Sequence, residues 1–383
     1  MPIQVAHIVP LAARIGGYER QALLLADAQV RAGLGAAIIT HASDARRLHG
    51  HSGAAVHGVT WRLGRASGRA IDRAIASASV LHVHAVDPFS AAVVERGRRR
   101  GLPALLKIAT QGDAQRYADP HAHPPEVAVA RRFEPWRLRR QQRLMQRAWS
   151  ILRECECFIA LSGAIEGELL EVGIARDRIV HLPNAVALPE TVIEIRPQAQ
   201  RAIYIGRLEE RKRLGDLLDA FAIVRAAHGE AELQLVGEGA SRSRLEARSR
   251  GAHFHGAVSD PHALLAQADL FIFPSEREGC PNALLEAAAA GVPCIATAIP
   301  GITDWFDATM MRLVEPGRPD LIARAWLELW SDAARRRTLA DSARRRVQDA
   351  ADINSILRRY ERIYGQLIQG ERPRLPDGDA PRS

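Results

Sequence analysis

PSEREGCPNALLE, residues Pro274–Glu286, sits between an apolar strand-like run, Asp269–Phe273, and a small-residue helical run that ends at Gly291. A strand that ends in a loop and feeds a helix makes an anion site. Unpaired N–H groups and the positive end of the helix dipole converge there. Pro281 suits the first helical position, which directs the N–H groups of Asn282, Ala283 and Leu284 at a ligand. Glu278 and Glu286 flank this point, and two carboxylates would repel a phosphate. They can instead accept hydrogen bonds from the hydroxyls of a sugar and a ribose. An anion site beside hydroxyl acceptors leads us to expect a nucleotide-sugar ligand.

Outward from this stretch, apolar strand-like runs alternate with helical patterns. They fall near residues 3–9, 36–40, 80–84, 103–109, 157–161 and 178–182 in the first half. In the second half they fall near 201–205, 232–236, 252–255, 269–273, 292–297 and 310–314. Such alternation implies α/β architecture with parallel sheets covered on both faces. At 383 residues the chain exceeds one ordinary core, so the strands divide into two doubly wound, Rossmann-like domains facing a cleft. We expect an acceptor-side domain over 1–187 and a nucleotide-sugar-binding domain over 198–349, with the boundary in the Pro-rich, aperiodic stretch 187–200. A helix over 352–369 is expected to pack back on the first domain, and 371–383 has the composition of a disordered tail.

Composition excludes several classes. No apolar run reaches the roughly 18 residues of a membrane span, and no basic-then-apolar export signal opens the chain. Four cysteines (Cys155, Cys157, Cys280, Cys294) make no disulfide framework, which favours a cytoplasmic compartment. The net charge of +8 points to anionic partners, yet no nucleic-acid reader motif or aromatic stacking pattern accompanies it, so no nucleic acid is expected. Of 52 basic residues only Lys107 and Lys212 are lysine. These two are candidates for places where a compact ammonium is wanted.

In doubly wound sheets, ligands sit beyond the carboxyl ends of strands. Two further loops there carry polar residues. In Gly206–Lys212 (GRLEERK), Arg207 and Lys212 suit a diphosphate, with a surface ion pair to Glu209 or Glu210 as the alternative for Arg207. In Val236–Gly239 (VGEG), Gly237 and Gly239 permit close approach of backbone to a ligand.

These residues resemble the retaining GT-B glycosyltransferases of family 4, most strongly over Tyr204–Gly301. The matching features are GR-x4-K at Gly206–Lys212, VGEG, Ala268-Asp269 ahead of the strand end, and E-G-x-P-x4-E at Glu278–Glu286. Ala290–Pro293 and Thr297 continue the match, and Gly16-Gly17 and Leu182-Pro183-Asn184 extend it into the first half. The resemblance implies that Arg207 and Lys212 bind the donor diphosphate, Glu278 the transferred sugar and Glu286 the ribose. It implies that Gly16 and Gly17 let backbone close over the donor, and that neither a metal nor another cofactor is needed. The single Asp-x-Asp, Asp377–Asp379, lies in the tail. Where the family often has His-Gly, this chain has Thr110-Gln111-Gly112-Asp113. Gln111, Asp113 and Lys107 thus become candidates for contact with the donor sugar or acceptor.

The expected activity is transfer of a sugar from a nucleoside-diphosphate donor to a cell-envelope glycan or lipid-linked acceptor, as in polysaccharide or lipopolysaccharide biosynthesis. A sugar-nucleotide epimerase and a non-catalytic binding subunit are the alternatives. His82 and His84 are expected on opposite sides of one strand. His84 lies nearer the cleft, and a hydrogen-bonded structural histidine is its favoured role. Over 134–153, Leu138, Met145, Ala148, Trp149 and Leu152 share one helical arc, with Arg139, Arg140, Arg143 and Arg147 opposite. That basic face is either solvated surface or a contact with an anionic membrane on the cytoplasmic side.

Overall fold

The computed structural model describes residues 3–10, 16–48, 53–62, 65–66, 68–118, 135–258 and 260–375. The chain divides into two compact units. One comprises the chain up to Ala185 and again from Ile353, and the other is Val186–Asp352.

The first unit holds a wholly parallel sheet. Its strands are β1 (Gln4–Ile8), β2 (Gly35–His41), β3 (Ala55–Val59), β6 (Val80–Val83), β7 (Ala104–Ile108), β8 (Cys157–Ala160) and β9 (Ile179–His181). They lie in the order β3-β2-β1-β6-β7-β8-β9. A small antiparallel ribbon, β4 (Trp61–Arg62) with β5 (Arg65–Ala66), follows β3. The central strands are buried on both faces, which is why they read as continuous apolar runs such as ALLKI in β7. Chain direction across this sheet reverses between β1 and β6, its switch point.

The helix Ile353–Ile368 belongs to this unit. Ile353, Ile356, Leu357, Tyr360, Ile363, Tyr364 and Leu367 recur at helical spacing and join Val5, Val80, Leu105 and Ile159 in one buried cluster. The segment after it does not leave the protein at once. The Glu371 and Arg374 N–H groups donate to Gln366, and Leu375 packs against the same cluster, so 371–375 is held by an apolar anchor that tail-like composition conceals. Residues 376–383, which include the Asp-x-Asp of Asp377–Asp379, lie outside the described residues. The arginine-rich helix runs Pro135–Leu152. Ala148, Trp149 and Leu152 are buried, while Arg139, Arg140, Arg143 and Arg147 are exposed. The Leu138 side chain lies outside the described residues.

His82 and His84 do not point apart. Side chains two positions apart on a strand share a face, and the two rings stack with centroids 4.0 Å apart. His7, the register partner of His82 on β1, stacks on His84 as well. Burial pushes His7 down to about 4 and holds His82 and His84 well below their ordinary 6.5, so the three rings are neutral at pH 7.

The second unit repeats the plan with β10 (Arg201–Ile205), β11 (Glu232–Val236), β12 (His253–Gly256), β13 (Leu270–Phe273), β14 (Cys294–Thr297) and β15 (Arg312–Val314). All are parallel, in the order β12-β11-β10-β13-β14-β15, so the switch point lies between β10 and β13. Asp269, buried just before β13, accepts from the Arg201 N–H at 2.9 Å and from Arg196 at 2.8 Å. It thereby ties the first residue of β10 to the segment entering the sheet. Arg336 is buried and gives its guanidinium to the carbonyls of Leu329, Trp330, Arg196 and Pro197. It closes the end of one helix onto the chain that enters this unit. All four cysteines are buried free thiols.

Candidate active site

Three loops leave the carboxyl ends of neighbouring strands in the second unit: 206–213 after β10, 237–239 after β11 and 274–281 after β13. The first and third flank the switch point and are joined by the Glu276 N–H, which donates to Arg211 O at 3.0 Å. Thr297, at the end of β14, gives its hydroxyl to Ser275 O and fixes the base of the third loop from the other side.

Lys212 and Glu278 form a buried ion pair at the centre of this arrangement. Lys212 is 7% exposed and Glu278 8%, so the carboxylate is not the solvated loop group its neighbours Glu276 and Arg277 suggest. The Lys212 ammonium lies 5.0 Å from the centroid of Phe273, the last residue of β13, so the ring face completes its cage. Burial holds this ammonium below its ordinary value, with Glu278 opposing the shift. Arg211 reaches the same Glu278 oxygen at 3.3 Å and also donates to Arg277 O at 3.2 Å. Sequence reasoning missed this residue, which stands among the unspecified positions of GR-x4-K. Its only signal is adjacency to Lys212 within one tight turn, Glu210–Lys212.

Arg207 stands apart from this cluster. Its side chain is 63% exposed and pairs with Glu209 at 2.8 Å, while its carbonyl accepts from the Tyr204 hydroxyl at 3.0 Å. The Gly237 and Gly239 positions have a specific neighbour. A Cβ on Gly237 would collide with Gly206 O, and one on Gly239 with the backbone of Leu208. Gly237 also holds φ +136°, open to few residues other than glycine. The backbone these glycines admit is that of the Arg207 loop, which the Leu208 N–H pins to Glu238 O at 2.9 Å.

The helix after the third loop begins one residue later than its proline suggests. Pro281 has ψ 117°, extended, and is the N-cap of helix Asn282–Ala289. Asn282 and Ala283 therefore occupy the first two helical positions. Leu284 is not a ligand-directed donor: its N–H, like that of Leu285, donates to Pro281 O at 3.2 Å. Glu286 lies one turn on, half-buried. Gly301, in the short helix Pro300–Thr303, backs the site. Any Cβ there would run into the carbonyls of Glu278 and Gly279.

The remaining candidates belong to the first unit. Gly16 is the N-cap of helix Gly17–Arg31, and its N–H donates to Glu19 Oε2 at 3.0 Å. Gln111 and Asp113 flank Gly112, whose φ is +87° and whose N–H donates to Glu168 at 2.6 Å. Lys107 is buried in β7 and His84 is buried just past the end of β6.

Residues 15–189 match the model described as Glycosyltransferase Family 4, and residues 199–332 match that described as Glycosyl transferases group 1. The N-acetyl-alpha-D-glucosaminyl L-malate synthase of Bacillus anthracis is 30% identical over 177 residues, 44% of this chain and 46% of that protein. A GDP-mannose-dependent alpha-(1-6)-phosphatidylinositol dimannoside mannosyltransferase of Mycobacterium tuberculosis is 34% identical over 151 residues, 38% of this chain and 39% of that one. The chain thus spans less than half the length of either relative. Among solved structures, Anabaena HepE in complex with UDP-glucose superposes with a TM-score of 0.74, covering 96% of this chain and 100% of that chain at 15% identity. The shared fold is the two-domain GT-B architecture.

Proposed function

The chain belongs to glycosyltransferase family 4, glycosyl transferases group 1, and we propose that it moves a sugar from a nucleoside-diphosphate donor to a cell-envelope glycan or lipid-linked acceptor with retained anomeric configuration. The observation that carries this reading is the buried Lys212–Glu278 pair at the switch point, next to the N-terminus of helix Asn282–Ala289. Burying an ammonium with a carboxylate carries a desolvation cost, and such pairs at strand ends concentrate at functional sites.

In this proposal the donor diphosphate lies against Lys212, Arg207 and the Asn282 and Ala283 end of the helix. Glu278 accepts from the sugar hydroxyls and Glu286 from the ribose. Breaking the sugar–phosphate bond builds positive charge on the anomeric carbon and negative charge on the leaving diphosphate. Lys212 and Arg207 offset the latter, and loss of one such contact would lower turnover by about 10²–10³, as for an oxyanion-hole donor. The leaving phosphate takes the acceptor's proton, so no separate base is assigned to the transfer step. Gln111, Asp113 and Lys107 are the candidates for contact with the sugar or acceptor, while His84, buried and bonded to His7, fits the structural role.

The cationic face Arg139, Arg140, Arg143 and Arg147 supports a cytoplasmic enzyme that touches an anionic membrane surface, where a lipid-linked acceptor would lie. Flotation with anionic liposomes at low salt tests this, and protein left in solution overturns it. The donor site is tested by thermal shift with UDP, GDP, ADP and their sugars. One nucleotide should stabilise the wild type, with the gain reduced in Glu286→Ala and Arg207→Ala. If none does, the proposal fails.

A further inference from the structure

We propose that His7, His82 and His84 form a binding site for a divalent first-row transition metal ion of the nitrogen-preferring kind, such as Zn2+ or Co2+. The site lies at the switch point of the first sheet, where β1 and β6 pair, and shares no residue with the Lys212–Glu278 centre. One nitrogen from each ring lies within 4.8 Å of the other two, and all three residues are buried.

The hydrogen-bond network decides which nitrogens face the common point. Gln29 gives its amide N–H to the Tyr364 hydroxyl at 3.4 Å, which sets its oxygen toward His7 Nε2 at 2.7 Å. An amide oxygen only accepts, so His7 carries its proton on Nε2 and turns a lone pair out from Nδ1. That lone pair meets His84 Nε2 at 3.0 Å. Two imidazoles on one tetrahedral ion, each at about 2.0–2.1 Å, place their nitrogens about 3.3 Å apart, close to the His7–His84 spacing, and the stacked His82 and His84 rings have to turn to bring both lone pairs onto the ion. The third donor is His82 Nε2, a buried nitrogen without a hydrogen-bond partner. Its other nitrogen, Nδ1, lies 2.8 Å from the Tyr364 hydroxyl. Gln29 and Tyr364 therefore stand behind two of the rings as oxygen partners commonly stand behind metal-bound imidazoles.

Without an ion the same cluster is poorly satisfied, because His84 Nδ1 and His82 Nε2 are both buried and unpartnered. Binding converts His82 Nε2 into a ligand, and it replaces the hydrogen bond that His84 Nε2–H gives to His7 Nδ1, moving the His84 proton to Nδ1. Lys107, buried on β7, acts electrostatically on His82 and His84 and opposes a dication. Three neutral ligands with an opposing ammonium predict weaker binding than a closed four-ligand zinc site.

The test uses full-length protein stripped with a chelator and free of any affinity tag. Co2+ titration should give the visible absorption of a tetrahedral ion saturating at one equivalent, with displacement by Zn2+ and a rise in melting temperature. Tyr364→Phe, which keeps the ring packed and removes only the hydroxyl, should weaken binding roughly 10–100-fold. His84→Gln should abolish it. A wild type that gives neither the Co2+ spectrum nor a thermal gain overturns the proposal, and so does undiminished binding in both Tyr364→Phe and His84→Gln.

Discussion

Lys212→Met tests whether the buried pair is a poised binding element. The substitution keeps the length of the stem but removes the charge and its contact over the Phe273 ring, leaving the Glu278 carboxylate 8% exposed and short of its main partner. Removing one partner of a buried pair costs about 3–5 kcal/mol. Arg211, 3.3 Å from the same oxygen, stays behind and holds the expected loss near 3 kcal/mol. For a unit of this size that is a fall in melting temperature of about 6–12 °C. Glu278→Gln alone strands the ammonium and should cost a similar amount. The double variant Lys212→Met/Glu278→Gln buries no uncompensated charge, and it should regain at least 1–2 kcal/mol relative to the sum of the singles. Differential scanning calorimetry of the four proteins, repeated with saturating nucleoside diphosphate, separates folding from binding. All three variants should lose the nucleotide-dependent gain. If the two single losses simply add in the double variant, the two groups are not coupled and the account of the site is wrong.

Three further substitutions probe the supports of the site and of the unit. Gly301→Ala pushes a methyl into the carbonyls of Glu278 and Gly279, so stability should fall by about 1–3 kcal/mol in urea unfolding, with turnover falling further than stability explains. An unchanged rate would show that the Glu278 backbone is not what Gly301 positions. Arg336→Met withdraws a guanidinium from four carbonyls and should cost about 3–5 kcal/mol, seen as a melting point lower by roughly 10 °C; a change under 1 kcal/mol would mean water replaces it without loss. Glu286→Ala should weaken the preferred nucleotide about tenfold by isothermal calorimetry while leaving the apo melting point within about 2 °C, and equal affinity would remove Glu286 from the ribose.

Strands buried on both faces were legible because burial writes itself as an apolar run: LFIF and CIAT became β13 and β14 where their patterns lay. β3 escaped, since AVHGV is an edge strand exposed along most of its length and owes its form to pairing with β2. The donor loops were legible by position, at strand ends, yet their internal economy was not. Gly237 and Gly239 look like ligand-facing glycines in a string of letters, but the chain they accommodate is 31 residues upstream at Gly206–Leu208. Arg211 was invisible because nothing in one sequence says which of several adjacent cations turns inward. His82 and His84 were misassigned by a slip in strand periodicity, and His7 could not have been joined to them without the parallel pairing of β1 with β6.

The helix Ile353–Ile368 has a consequence for how the protein is made. Its apolar face supplies a large part of the first unit's core, yet it is synthesised after the whole of Val186–Asp352. While the ribosome is still translating the second unit, residues up to Ala185 carry an uncovered apolar stripe over Val5, Val80, Leu105 and Ile159, and the second unit has every one of its strands before the first has its last helix. The unit that begins first is finished last. Folding during synthesis should therefore run against chain order, with the amino-terminal sheet kept as a chaperone client until the final turn of that helix emerges. A chain released early, short of Ile353, would expose that stripe permanently and should aggregate rather than yield a half-active protein.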